Sequence, residues 1–288
     1  MPDIWAQAAI LVKVLLYVGA LGATGLVMIR LIFAAQTAPA EALLRRQIRS
    51  LGAVALIAAG LGFSLQGAAL TGGLDGMTDP EMLGLLWQTP VGDVLLYRLI
   101  GASLLVVGPA FLRVGEWGAL AGGCLLLWSF AQVGHVPNLA QTGVQALLFL
   151  HLLGVAFWIG VLSPLHWLCQ RRDHLQAAAQ LGHRFGQIAQ YGVPALVGAG
   201  AVLGALLLGS VSALLGTSYG LAFVTKIALV GAILALAAAN KLRFVPAMAA
   251  GDSAAARHLA ISLRVEGAAF LAVLSATAAL TSLFSVPG

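Results

Sequence analysis

Long apolar runs separated by short polar connections set the pattern of this chain. They cover about residues 9–34, 48–71, 93–112, 116–133, 143–168, 187–211, 220–240 and 260–284. Each reaches the roughly 18 residues at which an apolar stretch reads as a membrane-spanning helix. The expected fold is therefore all-α: a polytopic membrane bundle of eight transmembrane helices in one integral membrane domain over residues 1–288. The first run follows an acidic start at Asp3, lacks a basic n-region and outlasts a signal-peptide core of about 7–15 residues, so it is expected to remain as a helix.

Small residues punctuate the runs. Gly19, Gly22 and Gly25 lie near one face of the first, and Gly200 and Gly204 form a GxxxG in the sixth. Lipid supplies little hydrophobic drive for helix association, so close backbone approach at small residues is how such helices pack. Pro109, Pro164 and Pro194 fall inside runs, and each frees a backbone carbonyl and can kink its helix.

Composition excludes a water-soluble globule. The chain is 60% hydrophobic and 9% charged with a mean hydropathy of +0.98, against about 25% charged residues in soluble domains. The net charge of +5 does not point to nucleic acid, because the basic residues sit in short clusters between apolar runs. Cys124 and Cys169 lie within or at the end of runs without CxxC spacing, and read as packing residues.

The clusters orient the bundle. Arg45, Arg46 and Arg49 fall in the first connection, Arg113 in the third, Arg171, Arg172 and Arg184 in the fifth, and Lys241, Arg243 and Arg257 in the seventh. The second has Asp75, Asp79 and Glu81 but no Lys or Arg; the fourth and sixth have no charge at all. Cytoplasmic loops collect Lys and Arg, so the odd connections are expected inside and both termini outside.

With this orientation, several polar residues fall where lipid should be. His151 lies about eight residues into the fifth run, about 12 Å below the outer boundary. His135 ends the fourth run, Asp93 and Arg98 open the third, Lys226 sits near the start of the seventh and Lys13 near that of the first. Intramembrane charges face the bundle interior or a wet cavity. They predict an outward-facing polar pocket, with Trp158 two turns beyond His151 as a packed floor. His135 and His151 are candidate metal ligands, since imidazole suits copper, zinc, iron and nickel. A satisfied hydrogen bond between helices and a proton relay are equally open to His151. Met77 and Met82 flank the acidic outer loop, and thioether sulfur suits Cu(I). At the inner side, Glu266 is expected to pair with a residue of another span, either in a structural ion pair or as a gate or proton site.

The landmarks Gly134-His135, His151-Leu-Leu-Gly-Val-Ala-Phe-Trp158-Ile-Gly160, His183-Arg184-Phe185, Thr217-Ser218-Tyr219-Gly220, Lys226, Asn240-Lys241-Leu242-Arg243, Pro246 and Glu266 resemble, in order and spacing, the copper resistance protein D (CopD) family of bacterial inner-membrane proteins. The resemblance divides the chain into an N-terminal four-helix part, residues 1–133, and a core of helices 5–8, residues 134–288. Val161 stands where the family has a second small residue after Trp-x-Gly. The resemblance implies copper handling at the inner membrane with import from periplasm to cytoplasm, a transporter more than an enzyme, and a periplasmic copper-binding partner of the CopC type; the outer side on which the loop charges put both termini is then the periplasm. In it His135 and His151 match histidine positions, and Trp158, Lys226 and Glu266 match other motif positions. Chemistry assigns His135, His151, Met77 and Met82 to the metal, and Trp158, Arg98, Asp93, Lys226 and Glu266 to the pocket or its gating. Lys13, Arg98 and Lys226 make the pocket net positive, which opposes a bare cation. That favours, as the alternative, a redox protein holding b-type haem or a quinone and exchanging electrons with periplasmic copper.

Overall fold

The apolar runs fold as helices, and several helices outlast their runs. The computed structural model describes residues 4–111, 113–134 and 143–283. Its long helices are α1 (Ile4–Ile32), α2 (Glu41–Thr71), α3 (Pro90–Val107), α4 (Arg113–Trp128), α5 (Val144–Cys169), α6 (Leu175–Leu208), α7 (Ser218–Ala239) and α8 (Ser253–Leu283). All eight belong to segments long and apolar enough to cross a membrane, and among the described residues there is no strand. α2, α6 and α8 begin well before their apolar runs. The extension of α6 is amphipathic: Ala178, Ala179, Leu181 and Gly182 are buried while Gln176, Gln180, His183 and Arg184 are exposed. Helical periodicity, with no lipid-length run, sustains it.

Odd-numbered connections meet at one end of the bundle, here called the basic end for Arg45, Arg46, Arg49, Arg171, Arg172 and Arg257. The start of α1 and the finish of α8 adjoin at the other, terminal end. There Lys13 Nζ donates to Ser282 Oγ (2.7 Å) and to Thr281 O and Oγ1 (both 3.3 Å).

α1 is the central helix, packing against α2, α4, α5 and α8. Its glycines explain how. A Cβ on Gly19 would meet the Leu51 carbonyl of α2 at 2.7 Å, and one on Gly22 would meet the Leu51 side chain at 3.0 Å. Gly25 lies backbone to backbone against Ala156 and Gly160 of α5, leaving no room for a side chain at Gly25 or Gly160. The GxxxG of α6 works differently. Gly200 and Gly204 leave sockets for the His151 and Phe223 side chains, and bring no second backbone close.

Two apolar cores result. One is built mainly from α1, α2, α3 and α4; the other, mainly from α5, α6, α7 and α8, includes Trp158, Val161 and Phe270. Past α7 the chain runs through a π-helical segment, Asn240–Phe244, and the short helix Val245–Ala249 before turning into α8.

Candidate functional site

His151 projects from α5 toward α6. Its Nδ1 lies 3.1 Å from the Leu196 carbonyl oxygen, and Gly200 supplies the space for the ring. A carbonyl only accepts, so Nδ1 carries the hydrogen and Nε2 presents a lone pair. This is how metal-binding histidines are commonly oriented, with the outer nitrogen donating to a carbonyl. It is also the satisfied interhelical bond that an intramembrane histidine would otherwise make. Lys226 of α7 has no hydrogen-bond or ion-pair partner among the described residues.

The other terminal-end polar residues form a separate group. Arg98 of α3 donates from Nε to Ser129 Oγ (3.2 Å) and lies over the Phe130 ring, 5.2 Å from its centroid. Tyr17 meets that ring edge-on at 5.1 Å. Asp93 is exposed and makes no ion pair with Arg98. Met77 and Met82 are half-buried on the connection between α2 and α3. There the Asp79 side chain caps the short helix Pro80–Trp87 by accepting from the backbone N–H groups of Glu81 and Met82. No hydrogen bond or ion pair among the described residues joins these groups to His151. His135 lies outside the described residues. Among the described residues no three His, Cys, Asp or Glu side chains converge as a metal cluster.

Trp158 and Glu266 do meet, and with a third residue. Trp158 Nε1 of α5 donates to Glu266 Oε1 of α8 at 2.6 Å, and Asn240 Nδ2 donates to Glu266 Oε2 at 3.0 Å. Glu266 is 2% exposed, and the Trp158 ring packs edge-to-face on Phe270, 5.6 Å away. Asn240 opens the π-helical segment, a rare geometry that gathers at functional sites. A cavity of about 280 Å³ between α5, α6, α7 and α8 is lined by all three residues. Gln190, Lys241 and Pro194 also line it, and Lys241 Nζ donates to Gln190 Oε1 at 3.3 Å. A more open hollow of about 460 Å³ lies between α1, α2 and α5, where Ser163 Oγ donates to Gln47 Oε1 at 2.7 Å.

Glu266 thus pairs across helices as expected, but with neutral donors instead of a cation. Asn240 passed unnoticed as a partner because it stood in the sequence only as one letter of a basic landmark. Its signal was being an amide at the last turn of an apolar run. The ion cluster at the basic end was also missed. Arg30, in the last turn of α1, donates to Glu41 Oε2 (2.8 Å), Glu41 Oε1 (2.6 Å) and Glu116 Oε1 (2.8 Å). Glu41 and Glu116 occupy the first turns of α2 and α4. Each charge therefore suits the helix dipole where it sits, and helix ends far apart in sequence are clamped together. His166 is a latch as well: its Nδ1 donates to the Ala260 carbonyl of α8 at 3.0 Å.

Residues 179–280 match the family Copper resistance protein D, and residues 1–142 match Copper resistance protein D-like, N-terminal domain. No curated protein and no solved structure matches the chain. The two matches together cover most of the sequence, and the chain belongs to the copper resistance protein D family.

Proposed function

We propose that this protein imports copper across the bacterial inner membrane, taking it up at the terminal end and releasing it at the basic end. Family membership ties the chain to copper handling at a membrane. The arginine-rich odd connections support a cytoplasmic basic end and periplasmic termini. The observation that carries the import reading is the orientation of His151. Its Nδ1–H is held by Leu196 O, which leaves the Nε2 lone pair for a metal about two turns inside the terminal end of α5. Met77 and Met82, on the connection between α2 and α3, would pass copper to it, as would His135, which follows the fourth apolar run in the sequence.

Lys226 shapes what form of copper can arrive. A bare cation is repelled at low dielectric, so the ion comes already ligated, as from a periplasmic copper-binding partner of the CopC type. Asp93 is exposed near the start of α3, where a charge can steer such a partner, while Arg98 is held inward by Ser129 and Phe130. Copper must then pass Trp158, and helix movement at Pro164 and Pro194 opens that route, because each proline removes one backbone hydrogen bond from its helix.

The test is copper uptake by cells producing wild type or His151→Ala at equal levels. Loss of uptake in the variant is expected; equal uptake would overturn the assignment of His151.

A further inference from the structure

Glu266 is a buried charge that the intake route above leaves without a task. Taking an ionised carboxylate out of water is costly unless it is paired. Both its hydrogen bonds come from neutral donors, and no ion pair among the described residues involves it. A second observation lies beside it. Asn240 is 8% exposed, and its Oδ1 is buried without a hydrogen-bond partner, on the same amide whose Nδ2 reaches Glu266. The cavity thus holds a carboxylate and an orphaned amide oxygen together.

The donor set selects the occupant. Hard oxygens with no sulfur or imidazole do not suit Cu(I), and calcium or magnesium requires about six oxygen ligands. One proton can be shared by two acceptors. We infer that Glu266 is a proton-binding site reached through the cavity from the basic end, and that its occupancy sets how firmly Trp158 is held between the copper intake site and that end. The site stands without the copper reading; only its purpose rests on it.

The exchange balances simply. A hydronium ion in the water at the basic end gives its proton to Glu266 Oε2 and is left as water. The Asn240 amide turns over, so that Oδ1 accepts the new O–H, and release reverses both steps. The two ends of an amide are nearly equal in size, so the turn needs no repacking. Trp158 Nε1 keeps its place at Oε1, but its bond changes from a charge-assisted one to a weaker neutral one. Trp158 follows His151 by seven residues on α5, so it stands between His151 and the cavity.

The charges around the site are few. On the π-helical segment Lys241 is exposed and bonded to Gln190 of α6. On α5 the neighbouring titratable groups, His166 and Cys169, are turned to Ala260 O and Met248 Sδ. On α1 Arg30 is spent on Glu41 and Glu116, and on α8 itself Arg264, Arg257 and His258 are exposed. Water at the Lys241 and Gln190 mouth is the proton source these contacts leave.

An infrared pH titration of the purified full chain, without copper, tests the site. A carboxylic-acid C=O band that appears as pH falls is expected in wild type and lost in Glu266→Gln. Asn240→Ala, which keeps the carboxyl, should retain the band and shift both its frequency and its midpoint. Wild-type and Glu266→Gln titrations that superimpose, or an Asn240→Ala titration identical to wild type, would overturn the proposal. Copper-driven proton movement into vesicles carrying a pH-sensitive dye tests the purpose, with loss in Glu266→Gln expected. Copper uptake without proton movement in wild type overturns the coupling, whereas failure of all copper uptake with the infrared result intact overturns only the transport reading.

Discussion

Arg30 and Glu266 are both buried charges, 6% and 2% exposed, yet they are housed in opposite ways. Arg30 sits where three helix ends meet and has two carboxylates on its guanidinium. Glu266 sits inside α8 and has an indole N–H and an amide N–H. The first arrangement cancels charge inside the protein and fixes geometry. The second leaves the charge to be cancelled by something that comes and goes. Burial alone therefore does not separate a clamp from a site; the identity of the partners does.

The contrast can be broken by substitution. Arg30→Met leaves Glu116 without its cation and Glu41 with Arg45 alone; both carboxylates are partly exposed, so a loss of about 2–3 kcal/mol is expected, below the penalty for a fully buried pair; thermal unfolding in detergent measures it. Trp158→Phe removes a donor to a charged acceptor, and a loss of about 1.5–3 kcal/mol is expected by the same assay. Glu266→Gln should stay within about 1 kcal/mol of wild type, because its amide can accept from Trp158 and, once the Asn240 amide turns over, donate to Oδ1. If Glu266→Gln unfolds as readily as Arg30→Met, the carboxylate is a clamp after all. The smallest effect is expected from Arg45→Ala. Its exposed pair with Glu41 spans one helical turn at 2.6 Å, and such pairs contribute about 0.3–0.5 kcal/mol. A larger loss would mean that the Arg30 cluster acts as a network.

The bundle itself was legible from the chain, because eight lipid-length apolar runs and a one-sided arginine pattern need no tertiary partner to be recognised. His151, Trp158 and Glu266 were legible as polar or polar-tipped residues in apolar surroundings. Partnerships were not. Arg30, Glu41 and Glu116 belong to three helices, and no periodicity links them. Helix ends were misjudged where amphipathic extensions, such as residues 175–186, look like loops to a search for apolar length. The Gly200 and Gly204 pair read as a backbone crossing, because spacing tells where small residues lie but not what fills the space they leave.

The crossing of α1 and α5 at Gly25 and Gly160 has a mechanical consequence. Backbones that touch with no side chain between them leave no slack at the crossing. The contact therefore sets how closely the two cores can approach, and a methyl group at either glycine would wedge α1 and α5 apart. Trp158 lies two residues before Gly160 and His151 two turns before that. A wedge at this one point would thus displace both the indole and the histidine relative to α1.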